Sequence, residues 1–265
     1  MIVMSDEKFY WIGRLFSQYL DASIKFNEFY EAQHDEEISY HIIAKDTNQP
    51  RRIHDNYSLF YKLKETAHKT RKLKTLDDVE RSLCWIIESA CSNVFHELTI
   101  IRESLYQSYR NQKEKKSLES CIMDGNCGFD EISDSLKIIN ENDEYAKSKI
   151  EPTFEKLVKV VEIPKKMFRY LLKLEINNHF IMSSVYENFD KIRLVYGEEE
   201  AKDFLEDVFS MDEEKFLISY RDSLVSKGFY AEAININDKI PEELKADIDQ
   251  QINEKTRKYQ GQEVE

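Results

Sequence analysis

Glycine and proline are scarce in this chain of 265 residues, which has 6 of the first and 4 of the second. Turns and strand connections consume both, so their scarcity argues against a strand-rich fold and implies long uninterrupted helices. Long apolar runs are missing too. No stretch approaches the ~18 apolar residues that a membrane span needs. Met1–Met4 leads straight into a charged, amphipathic segment, unlike a signal peptide. Cysteine is limited to Cys84, Cys91, Cys121 and Cys127, without the paired spacing of zinc ligands. Reduced thiols in a cytoplasmic protein are expected, and the nucleus is also compatible. Positive charge is in deficit. The net charge of −13 disfavours generic binding to nucleic acid.

What is present reads as helix after helix. The 41% hydrophobic content suffices for a core. From Asp6 to Gln33, Phe9, Ile12, Phe16, Tyr19, Leu20, Ile24 and Phe29 keep close to a 3.6-residue period. A polar joint at Asp21–Ser23 is expected to divide this run. Asp46-Thr47-Asn48-Gln49-Pro50 is a loop signal, with helix resuming near Asn56 and running toward Leu73. Thr75-Leu76-Asp77-Asp78 predicts a helix start with Thr75 as the cap. The apolar spacing from Leu76 to Tyr109 then predicts about nine turns. The pattern fails around Ser117–Asp130, and helix returns in pieces from Asp130 to Lys149. Pro152 and Pro164 suit a first turn or a kink. A strong helix carries Phe168, Leu171, Leu172 and Ile176. Others are predicted from Phe180 to Tyr196, Glu198 to Phe209 and Asp212 to Lys227, with Gly228 as a C-cap, and Pro241 opens one more. The tail from Gln260 is polar. The expected architecture is all-α, a single domain over residues 1–259 and a tail over 260–265.

Two basic stripes stand out in an acidic chain. Lys62, Lys69 and Lys72 recur along one helix face, thickened by Arg71 and Lys74, with Glu65 as the one acid among them. Lys166, Arg169 and Lys173 form a second stripe. The plain reading of each is a solvated face. If the two helices face each other, Lys62, Lys69, Arg169 and the phenol of Tyr170 suit a doubly charged tetrahedral anion. That anion would be a phosphate carried by another protein.

Three motifs sharpen that reading. They are Ser58-Leu59-Phe60-Tyr61-Lys62, Ala90-Cys91-Ser92-Asn93-Val94-Phe95-His96-Glu97-Leu98, and Phe168-Arg169-Tyr170-Leu171, in that order. They resemble the Ser-x-x-Tyr-Lys, Ile-Cys-Asn-Asp-Val-Leu-x-Leu-Leu and Phe-Arg-Tyr-Leu stretches of the 14-3-3 family. The similarity is clearest over Asp55–Tyr106 and Phe154–Leu174. It implies an antiparallel bundle of about nine or more helices with an amphipathic groove. It also implies a non-enzymatic adaptor, without a cofactor, that binds phosphoserine or phosphothreonine segments of partner proteins. The family's phosphate pocket uses a Lys, two Arg and a Tyr. Carried over by motif, these become Lys62, Lys69, Arg169 and Tyr170, with Lys69 in place of an arginine.

There are departures from the family pattern. The linker from about residue 111 to 149 is expanded. The stretch Leu20-Asp21-Ala22-Ser23-Ile24 lacks the arginine of the family's dimer ion pairs, so a monomer is expected, or an atypical dimer leaning on Phe9, Trp11, Phe16 and Tyr19. The family's peptide-holding Asn has no clean counterpart, although Arg221-Asp222-Ser223-Leu224 echoes a late motif. Two other functions compete. One is an acidic helical scaffold without phosphate dependence. The other is a di-iron bundle enzyme, suggested by Glu31-x-x-His34 and Glu65-x-x-His68.

Overall fold

A computed structural model describes residues 4–34, 48–123, 129–175 and 178–245, and the regular elements among them are all helical. Ten α-helices are described. They are α1 (Met4–His34), α2 (Asn48–Arg71), α3 (Asp78–Met123), α4 (Phe129–Ser148), α5 (Ile150–Lys173), α6 (His179–Glu187), α7 (Phe189–Tyr196), α8 (Glu198–Phe209), α9 (Glu213–Lys227) and α10 (Tyr230–Asn237). A 3-10 turn, Glu242–Leu244, follows Pro241. The chain forms two compact units. One is Leu15–Phe168, and the other is Met1–Arg14 with Arg169–Glu265. The polar tail from Gln260 lies outside the described residues.

In the Leu15–Phe168 unit, α1 and α5 run antiparallel through aromatic contacts. Tyr19 stacks on Phe168 with centroids 4.7 Å apart, and Phe29 meets Phe154 at 5.3 Å. Phe16, Tyr19, Phe29 and Phe168 are buried, each contributing about 1.5–3 kcal/mol of hydrophobic transfer. On α5, Phe154, Leu157, Val161, Pro164 and Phe168 return every third or fourth residue, which builds one continuous buried stripe. Pro152 occupies the first turn of α5, whereas Pro164 sits inside it.

Helix α2 packs antiparallel along α3, and α3 along α4. The α3–α4 seam is polar. Ser108 donates to Asp143 Oδ1 at 2.5 Å, and Asp143 also pairs with Lys147 at 2.6 Å. Asn111 is buried there; its Oδ1 accepts from Gln107, but its Nδ2 has no partner among the described residues.

In the second unit, α9 packs against α6, α8 and α10, and α7 against α8. Phe216 is central, meeting Phe189 at 5.2 Å and Phe209 at 4.8 Å. Asp212 caps α9 by accepting from the Lys215 amide at 2.8 Å, and Gly228 ends it at φ 85 in the left-handed region. Gly13 and Ser184 are also in close contact. The Ser184 hydroxyl donates to the Gly13 carbonyl at 3.1 Å. A Cβ at Gly13 would lie 3.0 Å from that hydroxyl oxygen, so Ala there crowds the contact.

Several local expectations are corrected. Asp21–Ser23 does not divide α1. Ala22 and Ser23 are small residues buried on its inner face, and neither breaks a helix. Pro50 lies in the first turn of α2, where a missing N–H costs nothing, so the loop signal marks a helix start well before Asn56. Asp77, not Thr75, caps α3. Its carboxylate accepts from the Glu80 amide and Glu80 accepts from the Asp77 amide, both at 2.8 Å, a reciprocal capping box. Helix α3 runs 46 residues, about 13 turns rather than nine. Of the residues expected as an expanded linker, 111–123 are the distal part of α3 and 129–148 a continuous α4 packed on it, while 124–128 lie outside the described residues.

Candidate functional site

Helix α2 presents Lys62 and Lys69 on its exposed side. Seven residues are close to two full turns, so the two lie within about 20° of each other around the helix axis. Neither has a carboxylate partner among the described residues. The opposite side of α2 carries the buried Phe60, Leu63, Ala67 and Thr70, which fixes its rotation.

The third face of α2 is tied to α3. Tyr57 stacks on Phe95 at 4.8 Å, and the Lys64 ammonium lies 5.5 Å from the same ring centroid. Nearer the C-terminus of α2, His68 Nδ1 lies 3.0 Å from Glu88 Oε1. Arg71 Nε lies 3.2 Å from Glu88 Oε2, an ion pair without hydrogen-bond alignment. Arg81 reaches back from α3. It donates to the Arg71 carbonyl at 3.1 Å and the Leu76 carbonyl at 2.9 Å, closing the end of α2. Arg71 is therefore spent on Glu88 and does not thicken the exposed stripe.

The other two residues lie on α5 and belong to the second unit, whereas Lys62 and Lys69 belong to the first. Phe168 and Leu171 of the motif are buried, Arg169 is half-buried and Tyr170 is exposed. The guanidinium of Arg169 sits over the Tyr196 ring, with Cζ 5.3 Å from the centroid. No carboxylate neutralises Arg169 among the described residues. Lys173 is different, because Asp207 of α8 holds it at 2.7 Å. The second stripe is thus weaker in net charge than its sequence implies. Tyr196, Asp207 and Glu88 were not singled out from sequence. Each acts across a helix contact, which no local spacing reports.

Arg221 of the late motif is buried and committed elsewhere. It pairs with Asp222 and donates to Asn237 Oδ1 at 3.0 Å and the Leu244 carbonyl at 3.1 Å, fastening the segment after α10. Among the four aromatics expected to meet a partner, Phe16 and Tyr19 are core residues and contribute no surface. Phe9 and Trp11 are half-buried under Lys8 and Arg14 respectively.

His68 of the second Glu-x-x-His pair is directed to Glu88, and the side chain of His34 lies outside the described residues. Among the described residues no three His, Cys, Asp or Glu side chains gather as a metal site. Cys84 and Cys91 are free and buried in α3, and burial pushes both thiols up to about 12. Cys121 is free and half-buried, and Cys127 lies outside the described residues. No described helix is long and apolar enough to cross a membrane.

No family model matches the chain, and neither a curated protein nor a solved structure matches it.

Proposed function

We propose that this protein is a phosphoserine- or phosphothreonine-dependent adaptor, with Lys62 and Lys69 of one unit and Arg169 and Tyr170 of the other as the residues to which the family resemblance gives phosphate recognition. The observation that carries this reading is charge left unspent. In a chain of net charge −13, Lys62 and Lys69 share one exposed face of α2 without a carboxylate partner among the described residues. Arg169, also without one, rests on an aromatic ring that leaves its N–H groups available. The three motifs that resemble the 14-3-3 family lead to the same four residues.

The mechanism is recognition, not catalysis. A phosphorylated side chain carries about −2 charge and three acceptor oxygens, and each bond to a cation is worth ~1.5–3 kcal/mol. Arg169 can make two parallel bonds, whereas Lys69 offers a compact point charge where the family has a guanidinium. Affinity persists in that arrangement and geometric selectivity loosens. The partner segment binds extended in an amphipathic groove, in the cytoplasm, with the adaptor a monomer or an atypical dimer.

The test is a phosphoserine peptide library screened against the full chain. Selected peptides should bind at least ~tenfold tighter than their unphosphorylated versions, a difference of ~1.4 kcal/mol. Equal binding of the two forms defeats the phosphate reading and favours an acidic helical scaffold.

A further inference from the structure

Where α4 gives way to α5, the chain turns at Lys149 and opens a cleft of ≈ 620 Å³ against α3. That volume lies within the ~300–1,000 Å³ of small-ligand sites. We propose that this cleft binds a small organic phosphate monoester, separately from the phosphopeptide residues.

Two lysines line the cleft, Lys149 and Lys156. The Lys149 ammonium sits 4.1 Å from the centre of the Tyr145 ring. Neither lysine has a carboxylate partner among the described residues, despite the excess of acid in the chain. Glu103 also lines the cleft, so its charge is net positive rather than uniformly so.

The hydroxyls on the lining separate into two kinds. Ser148 donates to the Tyr145 carbonyl at 2.8 Å and Thr153 to the Lys149 carbonyl at 2.5 Å, so both are satisfied within their own turns. Ser104 is 7% exposed, and its hydroxyl has no partner among the described residues. That hydroxyl is open to the cleft and is left to donate to a ligand oxygen.

The first turn of α5 lines the same cleft through Pro152 and Thr153, and the Thr153 amide is spent on the Lys149 carbonyl at 3.2 Å. Two lysines and a donor hydroxyl suit a dianion better than a monoanion. The Tyr145 ring and Pro152 give the body of the ligand an apolar wall, while Glu103 can accept from a ligand hydroxyl. These features together point to a phosphate on a hydroxyl-bearing carbon skeleton.

The experiment is a titration of the full chain followed by amide NMR, with ribose 5-phosphate and glycerol 3-phosphate as probes and ribose and inorganic phosphate as comparators. At least one organic phosphate should shift the Ser104 and Thr153 amides saturably at millimolar concentration or below. Ribose should not, and inorganic phosphate should bind at least ~tenfold more weakly. Lys149→Ala, Lys156→Ala and Ser104→Ala should each weaken binding several-fold. Lys149→Arg should retain it, which separates charge from folding, and Lys62→Ala should leave it unchanged. The proposal is overturned if no organic phosphate saturates, or if ribose binds equally well. It is also overturned if inorganic phosphate binds as tightly, meaning an adventitious ion only, or if the three alanine variants bind normally. Tighter binding of a phosphoserine peptide at the same amides would assign the cleft to protein recognition and likewise overturn it.

Discussion

Arg169 lies over the ring of Tyr196, its Cζ 5.3 Å from the centroid. A stacking contact of this kind is worth ~0.5–2 kcal/mol depending on solvation. It orients a guanidinium without cancelling its charge, as a carboxylate would. Arg169→Ala should therefore lower phosphopeptide affinity by ~tenfold or more, and by more than Lys69→Ala does. Tyr196→Leu should lower it less, because the charge remains and only its orientation is lost. Calorimetric titration alongside thermal melts decides the matter. A large fall in melting temperature for Arg169→Ala, with peptide affinity unchanged, would assign the residue to the scaffold.

Lys69 is exposed on α2, so its replacement can act on ligand without repacking a core. Lys69→Arg should tighten phosphopeptide binding a few-fold, since a guanidinium can make two parallel bonds to phosphate. The gain should be smaller for an unphosphorylated acidic control peptide. A uniform gain for both would show that general charge, not phosphate geometry, is being read.

His179 is stacked almost parallel to Phe229, at 7° and 5.5 Å, and also against Tyr220. Burial, with a smaller contribution from Lys227, holds its pKa below the ordinary 6.5. The unfolded chain therefore takes up a proton that the folded chain resists. This contribution to stability is complete above pH ~6.5 and is lost as the pH falls toward the lower folded value. Urea unfolding of wild type should show stability declining on acidification through that range, and His179→Phe should flatten part of the slope. An unchanged slope in the variant would exclude His179 as its source.

Cys84 and Cys91 lie in the core of the first unit, their thiols raised by burial to about 12 from 9.0. Both should resist iodoacetamide at pH 8 in the native protein and react fully in denaturant, since the thiolate is the nucleophile. The same shift contributes stability below pH 9 that is lost between pH 9 and about 12. Mass spectrometry of the labelled protein gives the site-by-site answer, and rapid native labelling of Cys91 would contradict its burial.

Among the described residues Asn111 is buried with its Nδ2 unpaired, and its one side-chain bond is to the exposed Gln107. Replacing a half-satisfied buried amide by an apolar group of similar size is often neutral or stabilising. Asn111→Leu should leave the melting temperature unchanged or raise it by a few degrees. Ser108→Ala should lower it, because Asp143 loses a 2.5 Å donor. A steep loss of stability in Asn111→Leu would show that the amide supports the α3–α4 seam.

The sequence resolved the fold best where period and punctuation agree. The expected helix Glu198–Phe209 has the observed bounds, with Gly197 at φ 80 before it and Ser210 in the left-handed region after it. Asp212 and Gly228 bracket α9 because a carboxylate cap and a left-handed glycine are local chemistry. Ambiguity arose where one residue serves two ends of the menu. Pro50 suits a loop and a first helical turn equally, and the capping box slid by two residues because Thr75 and Asp77 are both good caps. Helix α10 escaped notice because Ala231–Asn237 nearly alternates apolar and polar residues, masking the helical period. The cations of the candidate site were readable as residue types. Their partners were not, because Tyr196 under Arg169, Asp207 beside Lys173 and Glu88 beside Arg71 are set by packing between helices.

The reach of Arg81 across the α2–α3 connection has an implication for length variation. Surface connections between helices ordinarily accept extra residues. This one is bridged from within, since a single guanidinium holds both the Arg71 carbonyl at the end of α2 and the Leu76 carbonyl inside the loop. An insertion between Lys72 and Asp77 must bulge outward if Arg81 is to keep both bonds, and otherwise moves the end of α2. Lys69 lies half a turn from that end. The connection is thus a ruler for the lysine, and its length should tolerate change less well than its sequence.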